Sequence, residues 1–217
     1  MPAVLTPQQD GSEVLIPDWI VDNASFLRWA ESDDAPERGK IGYFQGQVWV
    51  DQTMESKLHN LIKMAIARQV MNWSEDNDLG QYYGDGMLFS SPEHELSCEP
   101  DGLYVAAETQ AQGKVWFDPA REKILFGVPD MVLEVVSPSS VQKDLKRLRP
   151  LYHQAGVTEY WVVNSLDHSP QLVIYQLSVN GYLPVNAEEG WVHSQVLGAS
   201  FRLSLSDDRA KVRLERK

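Results

Sequence analysis

Cysteine is nearly absent: Cys98 stands alone among 217 residues. That excludes a disulfide within the chain and a cysteine-rich zinc site. No apolar run approaches the roughly 20 residues of a membrane-spanning helix. The start, Met1-Pro2-Ala3-Val4, lacks the basic-then-apolar pattern of a signal segment. A cytoplasmic, non-membrane protein is therefore expected. Positive charge is also scarce, with 19 Lys and Arg against 31 Asp and Glu and a net charge of −12. Broad, charge-driven binding of nucleic acid is thereby disfavoured, because phosphates must be neutralised by Lys and Arg. A local basic surface is not excluded. Lys143, Lys146, Arg147 and Arg149 form the densest basic cluster in the body of the chain. The run from Arg209 to Lys217 reads as a solvated tail. There is no internal repeat or low-complexity segment, and the length suits one sizeable domain.

Three stretches follow from pattern. Residues 1–40 read as a peripheral extension, with a short helix near Ser25–Ala30 capped by Asn23 or Ser25. Residues 41–205 carry the domain, and 206–217 the tail. Within the domain, Ile41–Val50 is a hairpin turning at Gln45-Gly46. Met54 to Asn72 is the clearest helix, with Leu58, Leu61, Ile62, Ala65, Ile66 and Val70 on one face. Ser90–Glu99 and Thr109–Gly113 read as loops, Glu99–Val105 as a strand entered through a Pro turn, and Lys114–Phe117 and Lys123–Phe126 as short strands. After Val128–Val136 a helix is expected from about Val141 to Ala155, with Gly156 as its C′ residue. Pro150 lies inside it, so a kink or two short helices should result. Glu159–Asn164 is a second central strand, and hairpins follow around Tyr182, Trp191 and Phe201. Strand, helix, strand over 130–163 makes a βαβ-like unit. The fold class is thus α/β (α+β), a mixed sheet flanked by helices with additional antiparallel hairpins.

The stretch Asp130-Met131-Val132-Leu133-Glu134-Val135-Val136 places carboxylates in an otherwise apolar strand. Alternation puts Asp130, Val132 and Glu134 on one face. A buried ionised carboxylate is costly unless a cation or hydrogen bonds compensate it. Hydrolysis of a phosphodiester at a divalent metal needs converging carboxylates and a cation beside the phosphate. Asp101, Asp130 and Glu134 are candidate metal ligands, with Lys143 and Lys146 as candidate cations. Glu55 and His59, one turn apart on the long helix, are secondary candidates. Plainer readings exist for each. Asp101 would satisfy turn amides after Pro100. Glu134 would form a structural ion pair with Lys143. Asp130 is either a ligand or a capping acceptor. Glu55 and His59 would be an ordinary polar helix edge, and Tyr160 and Trp161 core.

Glu99-Pro100-Asp101-Gly102, Pro129–Ser140 and Leu151–Trp161 together resemble the PD-(D/E)xK, restriction-endonuclease-like superfamily, and more narrowly the Uma-two family, classed as endonucleases. The resemblance spans roughly residues 41–205. It implies a restriction-endonuclease-like domain, DNA as substrate, and Mg2+, or Mn2+, held by Asp101 and Glu134. The superfamily's lysine stands two residues after the acid, where this chain has Val136. The resemblance implies a lysine supplied from the following helix, and the position expected for it reads Leu148 here. Lys143 is the favoured substitute and Lys146 the second. The alternative is a non-catalytic interaction protein that keeps the nuclease fold. A further alternative, an all-β ligand-binding domain, predicts no central βαβ unit. Trp49 and Trp191, read as exposed, would suit a homodimer surface, and a dimer would suit two-strand cutting.

Overall fold

The structure is a computed structural model describing residues 14–119, 122–166, 169–207 and 211–217. Met1–Val4, most of the first part of the expected extension, and Arg209 lie outside the described residues. In chain order the elements begin with α1 (Asn23–Ala30), β1 (Lys40–Phe44), β2 (Gln47–Asp51), α2 (Lys57–Asp76), β3 (Gly80–Gly84), β4 (Leu88–Ser91) and β5 (Leu96–Cys98). Then come β6 (Gly102–Ala106), α3 (Ala107–Ala111), β7 (Val115–Phe117), β8 (Ile124–Gly127) and β9 (Met131–Val136). A π-helical segment, Gln142–Leu148, runs into α4 (Arg149–Ala155). The chain continues through β10 (Glu159–Asn164), β11 (Gln171–Ser178), β12 (Gly181–Pro184), β13 (Val192–Ser194), β14 (Ala199–Leu205) and β15 (Val212–Arg216).

One six-stranded sheet has the order β2-β1-β5-β4-β8-β7, and a second has β12-β11-β10-β9-β6-β3. In the second, β9 and β10 run parallel, as the βαβ pattern requires, and its other pairs are antiparallel. The alternation of β9 sorts its side chains into two cores. Val132 and Val136 face the first sheet, among Phe44, Phe89, Leu96 and Tyr152. Met131, Leu133 and Val135 face α2 and the small sheet β13-β14-β15, among Ile62, Ile66, Trp161 and Phe201. The central sheet is thus covered by a second sheet on one side and by α2 with the small antiparallel sheet on the other.

Several local expectations shift. Asp22, not Asn23 or Ser25, caps α1, because its carboxylate takes the Ser25 amide at 2.7 Å. Phe26 and Trp29 of α1 are fully buried with Tyr43, Val48 and Val50, so this helix seals one face of the first sheet. The Ser90–Glu99 loop contains β5, and Thr109 belongs to α3. Pro150 begins α4, where its missing N–H needs no partner, and Gly156 ends that helix at φ +86. The C-terminal run is not a solvated tail: β15 pairs with β14 and buries Val212 and Leu214. Trp49 is buried, and Trp191 lies under the Arg202 and Lys217 cations, so neither forms an exposed aromatic surface.

Glu159 ties the small sheet to the central one. Its carboxylate is fully buried and accepts from Trp161 Nε1 (2.9 Å), Ser194 Oγ (2.7 Å), Gln195 N (2.6 Å) and Val196 N (3.2 Å). Removing it strands buried donors. Glu159→Ala should cost about 3 kcal/mol or more of stability by urea unfolding. A loss below about 1 kcal/mol would show that those donors find other partners.

Candidate metal centre

Asp101 lies where the chain crosses from β5 in one sheet to β6 in the other. The crossing needs glycine next: a Cβ on Gly102 would stand 1.9 Å from Tyr82 Oη. Asp101 is 3% exposed, and its Oδ2 accepts the Val135 N–H at 2.6 Å. That bond sets it beside Glu134 on β9. Its Oδ1 takes the Lys40 ammonium, and His59 Nε2 stands 3.2 Å from Oδ2. Burial pushes the Asp101 carboxyl up, but His59 and Lys40 outweigh it and hold the group well below the usual carboxylate range.

Glu134 is 1% exposed. Its Oε1 accepts from the Tyr152 hydroxyl at 2.8 Å, and Lys143 Nζ lies 3.4 Å from Oε2. Burial raises its pKa, with Lys143 opposing. The Lys143 ammonium also lies 3.0 Å from Asp144 Oδ1 and 4.9 Å from the Trp49 ring centroid. Burial disfavours the charged ammonium, but Glu134 and Asp144 outweigh it and keep Lys143 protonated.

Ser56 caps α2 by accepting the His59 N–H at 3.1 Å, so Glu55 precedes the helix rather than opening it. Glu55 Oε1 is 3.7 Å from His59 Nε2 and also takes the Lys63 ammonium. Lys63 reaches Asp85 Oδ2 at 2.9 Å, and Lys40 reaches Asp85 Oδ1 at 2.8 Å. Asp101, Lys40, Asp85, Lys63, Glu55 and His59 thus close a ring in which acids alternate with bases.

One donor atom each from Glu55, His59 and Asp101 lies within 4.8 Å of the others. His59 Nε2 is buried and has no aligned hydrogen bond, despite its proximity to Asp101. Carboxylate oxygens with one imidazole nitrogen form a donor set suited to a divalent ion such as Mg2+ or Mn2+.

All of these ionisable groups except Lys63, Tyr82 and Tyr152 line one cleft of about 680 Å³. Five residues singled out in the sequence meet there: Asp101, Glu134, Lys143, Glu55 and His59. Asp130 and Lys146 do not. Asp130 stands four residues before Glu134, about 13 Å along an extended strand. There its carboxylate accepts the Ala106 N–H (2.7 Å) and the Thr109 hydroxyl (2.8 Å) at the start of α3. It is a capping acceptor, and its place among the metal ligands is corrected. Lys146 lines a separate depression beside Gln45, Gln47 and Gln154.

Lys40, Lys63, Asp85, Glu99 and Asp144 escaped the sequence reading. Burial pushes Glu99, which also lines the cleft, up to about 7. Lys40 is 61 residues from Asp101, and no local pattern joins them. Asp144 adjoins Lys143, and that adjacency was the one available signal. Asp130→Ala should lose about 1 kcal/mol through the cap while leaving Mn2+ affinity unchanged by calorimetry. A fall in affinity matching that of Asp101→Asn would return Asp130 to the ligand set.

Among curated proteins, none matches the sequence. A crystal structure of a putative nuclease belonging to DUF820, from Anabaena variabilis, superposes with a TM-score of 0.61 at 14% identity. The match covers 81% of this chain and 89% of that one, and it shows a shared fold. The Uma2 family model, described as "Putative restriction endonuclease", matches residues 24–206. It takes in α1, which packs as part of the domain. The chain belongs to the Uma2 family.

Proposed function

We propose that this chain is a divalent-metal-dependent endonuclease that hydrolyses DNA phosphodiester bonds. The observation that carries the reading is the meeting of Asp101 and Glu134 in one cleft, each delivered from a different loop or strand and each almost fully buried. Asp101 and Glu134 would hold Mg2+ or Mn2+, and Glu55 and His59 would add donors beside Asp101. A bound ion supplies a polarised water and charge stabilisation at the phosphate. Tyr152 fixes Glu134 through its hydroxyl. Lys143 compensates the charge of Glu134 and is the cation nearest to it.

DNA is the substrate expected of a restriction-endonuclease-like family, and a cytoplasmic location accords with it. Among the described residues, no helix is long and apolar enough to cross a membrane. Cutting both strands of a duplex would call for two sites, so a homodimer is the assembly this reading expects.

One observation favours the non-catalytic alternative: Leu148 at the relatives' lysine position is buried in the core, and the cleft's lysines are all engaged by carboxylates. Incubation with plasmid and single-stranded DNA in Mg2+ or Mn2+ separates the two. The nuclease reading expects cleavage that falls about 100-fold or more in Glu134→Gln and in Asp101→Asn. Cleavage by Glu134→Gln at the parent rate would remove Glu134 from the site. Failure of the parent to bind Mn2+ by calorimetry would favour the interaction protein.

A further inference from the structure

The positions at which a nuclease of this kind carries its lysine are closed here. Val136 and Leu148 are both buried among apolar side chains. Lys143 has the right charge, but it is 8% exposed and lies between Glu134 and Asp144, with the Trp49 ring beside it. Each of those three partners is itself buried. A cation so enclosed neutralises the floor of the cleft and has little charge left for a substrate.

Lys40 stands differently. Its side chain is 18% exposed, and its ammonium bridges buried Asp101 to Asp85, whose side chain is 43% exposed. It therefore spans the distance from floor to mouth. Its route is set by Gly39, which turns at φ +93 where a Cβ would meet Asp51 O at 2.3 Å. Asp85 sits on the Gly84-Asp85-Gly86 turn between β3 and β4, with Gly86 at φ +87. Lys63 holds its second oxygen at 2.9 Å, so the carboxylate is fixed from both sides.

We propose that Lys40 is the cation that meets the substrate phosphate, and that Asp85 is its positioning residue. The inference rests on the nuclease reading above. An ammonium and a divalent ion repel strongly at one carboxylate oxygen. When Asp101 serves as a ligand, Lys40 still has Asp85 as a partner and stays in the cleft. Its charge then faces the mouth, where an anionic phosphate arrives. Asp85, exposed and shared with Lys63, holds the ammonium without burying it.

Three readouts on the full chain test this: Mn2+ affinity by calorimetry, oligonucleotide binding in Ca2+ by fluorescence anisotropy, and cleavage in Mn2+. Lys40→Gln should bind Mn2+ at least as tightly as the parent, because a competing ammonium has left Asp101. The same variant should bind the oligonucleotide about 10-fold more weakly and cleave about 100-fold more slowly. Lys40→Arg should recover part of both losses. Asp85→Asn should keep Mn2+ affinity and weaken oligonucleotide binding by a smaller factor. Thermal melts of each variant establish that the fold is retained. Cleavage by Lys40→Gln within about threefold of the parent would overturn the assignment while leaving the nuclease reading intact. Weaker Mn2+ binding by Lys40→Gln would also overturn it. A parent that neither binds nor cleaves DNA would overturn both.

Discussion

The hydrogen bond from the Val135 amide to Asp101 Oδ2 joins the two halves of the site. β5 belongs to one sheet and β6 to the other, and only Glu99, Pro100 and Asp101 make the crossing. The antiparallel ladder between β6 and β9 reaches Gly102 opposite Leu133 and stops. Beyond it, β9 continues alone on that side, and a side-chain carboxylate takes the place of the missing strand. The same contact leaves Glu134 as the neighbour of the anchored residue. Two sheets diverging at this point open the cleft, and the buried acids Asp101 and Glu134 stand at the divergence.

Burying those acids demands cations, and the structure supplies them locally. Glu55, Asp85, Glu99, Asp101, Glu134 and Asp144 meet Lys40, Lys63, Lys143 and one imidazole. Acid remains in excess even with the lysines in place. That imbalance favours a further cation in the cleft on charge alone, since each further positive charge relieves repulsion among fixed carboxylates.

Acid in an apolar strand was legible in the sequence, but its meaning was not. Glu134 and Glu159 lie on adjacent parallel strands, both fully buried. Glu159 is saturated by donors from its own strand and the β13 region, which leaves it a structural clamp. Glu134 has one hydroxyl donor and one lysine and opens on a cleft. Asp130 shares the Glu134 face yet sits at the other end of the strand, where α3 begins. Alternation gives the face; only the tertiary partners separate candidate ligand, clamp and cap. The βαβ unit, the hairpin turn at Gln45-Gly46 and the break at Pro150 were legible because each is written in contiguous residues. Lys40 and Asp85 were not, because their roles arise from contacts between distant segments.

The π-helical segment sets how Lys143 and Leu148 are placed relative to Glu134 and the core. Its wider turn relates residue i to i+5, so Lys143 and Leu148 lie one turn apart on a common face. At the deeper of these positions the face meets the core and carries Leu148, packed with Leu151, Tyr152 and Val136. At the shallower one it meets Glu134 and carries Lys143. A charge moved one turn toward the strand end still reaches the same carboxylate, while the core gains an apolar residue. The adjacent Asp144 then adds a second buried carboxylate, which Lys143 must also neutralise. A lysine with two buried acids to balance is a poor partner for a third anion. The proposed role of Lys40 follows from that burden, since its ammonium lies at the open side of the cleft between Asp101 and Asp85.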